Sequence, residues 1–247
     1  MSTREQLARS RDTVFSANGA LSAANNLAGN VTFIPAAGWS LPANLNACPS
    51  RIQPLLKRML DLTLSVVALV IALPVLVLIA LLIRLDSRGP ILFRQTRLGR
   101  NGRPFDIFKF RTMNVLENGD TIVQACENDK RITHVGAWLR TTSLDELPQL
   151  LNVIFGDMSL VGPRPHARAH DTYYAARIAE YELRQSVKPG ITGWAQIHGL
   201  RGETKTVDAM RERVAYDIWY AKNASVSTDL LVLLHTPLEV LRSRNAR

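Results

Sequence analysis

Two cysteines in 247 residues, Cys48 and Cys126, exclude a disulfide framework and a thiolate metal centre and fit a reducing compartment. Aromatic residues reach only 6%. No nucleic-acid recognition motif accompanies the positive charge, so nucleic acid is not an expected partner. The chain has no Walker sequence, no internal repeat and no Gly-rich nucleotide fingerprint. Acidic residues are also scarce: 21 Asp and Glu stand against 30 Lys and Arg, a net charge of +9. That imbalance is local. Between Arg51 and Arg111, eleven Lys and Arg meet only Asp61, Asp86 and Asp106. The excess lies beside the longest apolar run, which fits a membrane surface or a polyanionic substrate. The first fifty residues, rich in Ala, Asn and Ser, show no sustained period and no signal-peptide order. They are expected to form a disordered tail.

The apolar run, "LTLSVVALVIALPVLVLIALLI", covers Leu62 to Ile83 without a charge. As a helix it reaches roughly 33 Å, enough to cross a bilayer core. Pro74 near its middle removes a backbone hydrogen bond and kinks the helix. Cations stand at both ends, Lys57 and Arg58 before the run and Arg84 and Arg88 after it. Two arrangements follow from the residues: a spanning helix, or a re-entrant one with both ends on the same anionic face.

Beyond the run, "ILFRQTRLGRNGRPFDIFKFRTM" reads as two strands around an Asn101-Gly102 turn. Arg94, Arg97, Arg100 and Arg103 on this hairpin form either a solvated or headgroup-facing surface or part of a site. Lys109 and Arg111, flanking Phe110 at the end of the second strand, are better candidates for a cleft.

In "RTTSLDELPQLLNVIFGDMSLVGPRP", Leu147, Leu150, Leu151 and Ile154 follow a helical period that Gly156 ends. Pro148 is tolerated only in a first turn, and Ser143 with Glu146 matches a capping box, so a helix is expected to begin near Asp145. The adjacent acids Asp145 and Glu146 then either cap that helix or do chemistry. Arg140 precedes them, and Arg164 follows, clamped between Pro163 and Pro165. An acid pair among basic residues suits a site that handles a phosphate and a divalent cation together.

Further on, "VKPGITGWAQIHGLRGET" predicts a type II turn at Lys188-Pro189-Gly190. Trp194 is a candidate for stacking on a base or sugar, or for the core. His166 and His170 have metal-ligand spacing without a third ligand, which argues against zinc. "DLLVLLHTPLEVLR" predicts an apolar helix that is core or membrane-surface.

Four ordered blocks now carry a resemblance: residues 57–113, then "LRTTSLDELPQLLNVIFGDMSLVGPRP", "KPGITGWAQIHGLRGET" and "YDIWYAKNASVSTDLLVLLHT". Together they resemble the bacterial sugar transferases, the monotopic phosphoglycosyl transferases, over about residues 57–241. The resemblance implies an α+β, mainly helical protein with a disordered tail (1–50), a re-entrant helix broken at Pro74 (51–88) and a cytoplasmic catalytic domain (89–247) on the bacterial inner membrane. It also implies Mg²⁺-dependent transfer of a sugar-1-phosphate, with glucose or galactose favoured, from a UDP-sugar to undecaprenyl phosphate, releasing UMP. Asp145 is then the covalent nucleophile and a metal ligand, with Glu146 as its partner. Lys109, Arg140 and Arg164 are the basic site residues, joined by Arg111 from the residue reading. Leu73 stands where members often carry Ser before the proline. Self-association as a homodimer is left open. The rival reading is a membrane-anchored scaffold whose Asp-Glu pair only caps a helix.

Overall fold

The computed structural model describes residues 53–114, 129–202, 204 and 206–242. The expected tail and both cysteines lie outside these residues. Helix α1 (Gln53–Asp86) is 34 residues long and runs through Pro74 without interruption, so it does not show the break expected at that proline. A hairpin follows, β1 (Leu92–Leu98) and β2 (Pro104–Phe110). Then come α2 (His134–Thr142), a 3₁₀ turn at Leu144–Glu146, and α3 (Gln149–Phe155). Strand β3 (Ser159–Val161), α4 (Arg168–Ala175) and a 3₁₀ segment at Tyr181–Ser186 lead to β4 (Gly190–Thr192). Short α5 (Trp194–Ile197), α6 (Val207–Asn223) and α7 (Val226–Arg242) complete the order. Among the described residues the architecture is mainly helical with two two-stranded sheets, one antiparallel and one parallel.

The hairpin forms where Asn101-Gly102 marks it. Asn101 (φ 56°) and Gly102 (φ 70°) both take positive φ, and Arg103 N–H closes the turn onto Arg100 O at 3.3 Å. This is the backbone a tight right-twisted hairpin requires. Register pairs Phe93 with Lys109 and Leu92 with Phe110.

Helix α1 is long and apolar enough to cross a membrane, with a mean hydropathy of 3.4 over its most apolar window. Its one buried stripe runs through Asp61, Ser65, Ile79 and Ile83, while Val67, Val70, Ile71, Val77 and Leu81 stay exposed. Both ends are tied to the same folded body. Lys57 Nζ pairs with Asp229 (2.5 Å), and Arg58 donates to Val153 O and Ile154 O (2.6 and 2.9 Å). Asp61 Oδ1 accepts from Ser159 Oγ and Leu160 N–H, each at 3.1 Å. At the other end Asp86 accepts from Val135 N–H (3.2 Å), and Ile79 and Ile83 pack with Phe110 and Leu139.

The main core joins Ile107, Val153, Val161, Trp194, Tyr220 and Val232, so hairpin, α3, β3, α5, α6 and α7 share one interior. Trp194 is 4% exposed and stacks on Trp219 with centroids 4.4 Å apart, which makes it a core residue. The predicted type II turn at Lys188-Pro189-Gly190 is absent. Gly190 has no positive φ and instead opens β4, pairing with Ser159. A Cβ there would lie 2.1 Å from Gly162 N, so the missing side chain allows the two backbones to meet.

Candidate active site

Asp145 and Glu146 stand on the 3₁₀ turn between α2 and α3, not at an α-helix N-terminus. The predicted capping box does not form. Ser143 has φ 60°, ψ 17° and closes α2 as a left-handed C-cap, its N–H bonding to Arg140 O and Leu139 O. A capping residue needs extended backbone, and Ser143 makes no side-chain cap bond. Helix α3 begins at Gln149, with Pro148 before it, and ends at Gly156 as expected. The pair is therefore not a structural cap.

The two acids differ in what they touch. Glu146 is buried, 7% exposed, and both its oxygens are committed. Arg164 grips them as a fork, Nη2 to Oε1 at 2.5 Å and Nη1 to Oε2 at 3.1 Å, and Lys109 Nζ adds a third bond to Oε1 at 2.7 Å. Burial pushes the Glu146 carboxyl up, but the Arg164 and Lys109 charges and hydrogen bonds outweigh it and hold the group well below its ordinary value. Among the described residues, Asp145 makes no hydrogen bond through its carboxylate, and its one ion-pair contact is with Lys109 at 3.9 Å. Burial raises its carboxyl above the ordinary value, with Lys109 opposing and Glu146 adding to the rise. One acid is a fixed anchor for two cations. The other is an uncommitted, more basic carboxylate beside them.

Each cation is delivered by a separate element. Lys109 comes from β2, whose edge is clamped to α3 by buried Asn152. Its Nδ2 donates to Asp106 O (2.7 Å) and its Oδ1 accepts from Phe108 N–H (2.9 Å). Sequence reasoning missed Asn152; a polar residue on the apolar face of α3 was the signal. Arg164 is held by its flanks as well as by its prolines. Gly190 N–H donates to Pro163 O at 2.9 Å, and Arg184 donates to Arg164 O at 2.5 Å. Arg184 is itself fixed by Asp217, Nε to Oδ2 at 2.9 Å.

Arg140, in the last turn of α2, lowers the Asp145 carboxyl electrostatically and makes no side-chain hydrogen bond among the described residues. Arg111 is not brought to the site. It is 2% exposed and donates to Arg88 O, Ser87 O and Ser87 Oγ at 2.7–2.8 Å, fastening the segment after α1. Strand alternation explains the split, because Lys109 and Arg111 share a face only while the strand lasts, and β2 ends at Phe110.

Arginines left open or unassigned by sequence stand around Arg164. Arg97 donates to Pro165 O at 3.5 Å and to Gln95; burial, then Arg164, lower it to about 10. Arg213 donates to Gly202 O and is also lowered to about 10, by burial and then Arg164. Arg201 donates to Ser143 Oγ at 2.7 Å. Cations thus outnumber carboxylates here, which prepares the site for a polyanion. His166 Nδ1 lies 2.6 Å from the Tyr181 hydroxyl, and burial with nearby arginines keeps its ring neutral. His170 stacks edge-on against Tyr174. No group of three or more His, Cys, Asp or Glu suited to a metal ion occurs among the described residues. One open carboxylate, Asp145, is available to share a cation with substrate phosphates, the way Mg²⁺ is commonly held.

The sequence also has clear relatives among known proteins. A family model described as bacterial sugar transferase matches residues 52–243. The chain is 53% identical over 190 residues to a UDP-glucose:undecaprenyl-phosphate glucose-1-phosphate transferase of Caulobacter vibrioides, covering 77% of this chain and 71% of that protein. The Escherichia coli protein of the same name is 51% identical over 187 residues, 76% of this chain but only 40% of its own length. The exopolysaccharide production protein PSS of Rhizobium leguminosarum is 45% identical over 190 residues, 75% of this chain and 95% of that protein. The chain belongs to the bacterial sugar transferase family.

Proposed function

We propose that this protein transfers glucose-1-phosphate from UDP-glucose to undecaprenyl phosphate, releasing UMP, through a phospho-sugar intermediate on Asp145. The division of labour between the two acids carries this reading: Glu146 is spent on Arg164 and Lys109, and Asp145 is left open beside them. An Asp145 oxygen attacks the β-phosphorus, the bond from that phosphorus to the bridging oxygen breaks, and UMP leaves with the electron pair. An oxygen of the lipid phosphate then attacks the same phosphorus and releases Asp145. Both steps bring anion to anion, so Lys109, Arg164 and Arg140 must neutralise charge. Asp145 is the residue that would hold Mg²⁺, which would supply further charge neutralisation at the diphosphate. The names of the relatives favour glucose over galactose.

A re-entrant α1 supports the second step, and its two ends favour that topology. Lys57, Arg58 and Asp61 at one end and Asp86 at the other bind the same body, whereas crossing a bilayer would part them. The exposed apolar face then enters the inner membrane from the cytoplasmic side, near Pro74. This holds the site where a lipid phosphate and a soluble UDP-sugar can both arrive.

The test is incubation with UDP-glucose labelled in the β-phosphate. Acid-stable, Mg²⁺-dependent label on the wild type and none on Asp145→Asn is expected. Label that persists in Asp145→Asn refutes the covalent route. For topology, cysteines placed at Pro54 and Arg88 should both react from the cytoplasmic side; opposite sides would refute re-entry.

A further inference from the structure

A pair of cations stands at the far end of α3 from the two acids. Gly156 ends that helix at φ 95° and carries no side chain. A Cβ there would lie 3.5 Å from Arg58 Nη2 and 3.7 Å from Lys188 Nζ, so two positive groups converge on one open position. Arg58 reaches it from the first turns of α1 and is held by its bonds to Val153 O and Ile154 O. Lys188, in the loop before β4, makes no hydrogen bond or ion pair through its ammonium among the described residues. Burial and then the charge of Arg58 disfavour its charged form; Arg100 adds to this, while Asp61 and Asp157 oppose it. Neither acid closes on the pair. Asp61 is committed to Ser159 and Leu160, and Asp157 is exposed and forms no ion pair with either cation. Like charges held this close cost free energy until an anion comes between them.

The surroundings indicate which anion. Phe155, immediately before Gly156, is 65% exposed, and Leu55 and Met59, within one turn of Arg58, are exposed as well. Phe155 meets Phe108 edge-on, and Arg94 lies over the Phe108 ring. These side chains continue the exposed apolar face of the membrane-competent helix α1. A cationic notch bordered by apolar side chains fits an amphiphile with a phosphate head. A free phosphate would leave the apolar border in water. A zwitterionic headgroup would bring its own cation toward Arg58, Lys188 and Arg100, so the notch favours a lipid of net negative charge.

We propose that the notch between Arg58 and Lys188 at Gly156 holds the headgroup phosphate of an anionic membrane phospholipid, with Phe155 against its chains. The site is separate from the acid pair: Asp145 lies ahead of α3, and the notch lies behind its seven residues, about 10 Å further on. It does not depend on the transferase reading. A lipid held there joins the first turns of α1 to the end of α3 at headgroup level.

The full chain in mixed micelles tests this by equilibrium binding of labelled phosphatidylglycerol. Unlabelled phosphatidylglycerol, or phosphatidylcholine with the same chains, serves as competitor. Saturable binding that phosphatidylglycerol displaces and phosphatidylcholine displaces poorly is expected. Lys188→Gln should weaken it about fivefold, the contribution of one lysine at an anionic lipid surface. Lys188→Glu should weaken it further. Arg103→Gln removes an exposed hairpin charge that does not act on Lys188 and should leave binding within about twofold of wild type. Phe155→Ser serves if the Lys188 variants fail to fold, and should weaken binding while keeping the preference for phosphatidylglycerol. The proposal is overturned if the wild type shows no saturable binding, or if phosphatidylcholine competes equally. Lys188→Gln binding like wild type overturns it too. So does an equal loss in Arg103→Gln and Lys188→Gln, which would mean diffuse surface charge in place of a notch.

Discussion

Glu146→Gln removes one negative charge and almost no volume from a centre where Arg164 and Lys109 converge. The side chains of Glu146, Lys109 and Arg164 are 9%, 19% and 26% exposed. Removing one partner of a fully buried ion pair costs about 3–5 kcal/mol, because the other charge stays desolvated. Lys109 and Arg164 keep some solvent access, so the expected cost is nearer about 2–3 kcal/mol. For a domain of this size that lowers Tm by about 5–10 °C. Asp145→Asn should behave oppositely. Its carboxyl is pushed up by burial, so the charged form is a cost to the fold above its folded pKa. Neutralising it should leave stability unchanged or raise it by about 0.5–2 kcal/mol at neutral pH. The pH dependence separates the two further. Glu146, held below its ordinary 4.5, contributes stability above that pH and loses it only as pH falls through the lower folded value. The Tm gap between wild type and Glu146→Gln should therefore stay constant from about pH 6 to 8 and close in stronger acid. Thermal unfolding in one detergent, followed by intrinsic fluorescence, measures all three proteins. Equal destabilisation by Asp145→Asn and Glu146→Gln would refute the assignment of one anchor and one free carboxylate.

Arg111→Gln should lower Tm without changing KM for UDP-glucose, because its three hydrogen bonds end on Ser87 and Arg88; a raised KM with unchanged Tm would contradict that. Lys57→Met leaves Asp229, buried beside Tyr220, without its cation and should cost about 3 kcal/mol in chemical denaturation. Retained stability would mean that α1 is not anchored through this contact. Gly162→Ala places a Cβ 2.3 Å from Lys188 O, so β3 and β4 must separate. A clear loss of Tm together with activity is expected, since Arg164 lies two residues on, and native Tm would rule out the close approach. Activity should rise with pH through an acid limb above the ordinary 3.8 of aspartate, since the proposed attack requires Asp145 to be ionised. A limb at or below 3.8 in a pH–rate profile would count against Asp145 as nucleophile.

Features written in short stretches were legible before any folding. The Asn101-Gly102 turn, the stop at Gly156 and the apolar run of α1 depend on local backbone preference and composition, and each stands where the sequence places it. The acid pair among Lys109, Arg140 and Arg164 was legible as a neighbourhood. Local rules failed where distant backbone decided. The Ser143–Glu146 capping box lost to a left-handed C-cap and to the pull of Arg164 and Lys109 on Glu146. The turn at Lys188-Pro189-Gly190 lost to pairing with β3.

By itself the sequence determined a basic protein with one membrane-competent helix, a hairpin, and two adjacent acids near clamped and strand-borne cations. Periodicity, turn chemistry and charge balance need no partner to be read. Only the tertiary structure decided which acid is free. Asp145 and Glu146 are neighbours of the same charge, and their difference comes from Arg164, 18 residues on, and Lys109, 37 residues back. The same cause sent Arg111 to the end of α1 and brought Arg97, Arg201 and Arg213 around Arg164. A side chain's ionisation and availability depend on which distant groups desolvate and pair with it, and the folded chain alone sets those distances.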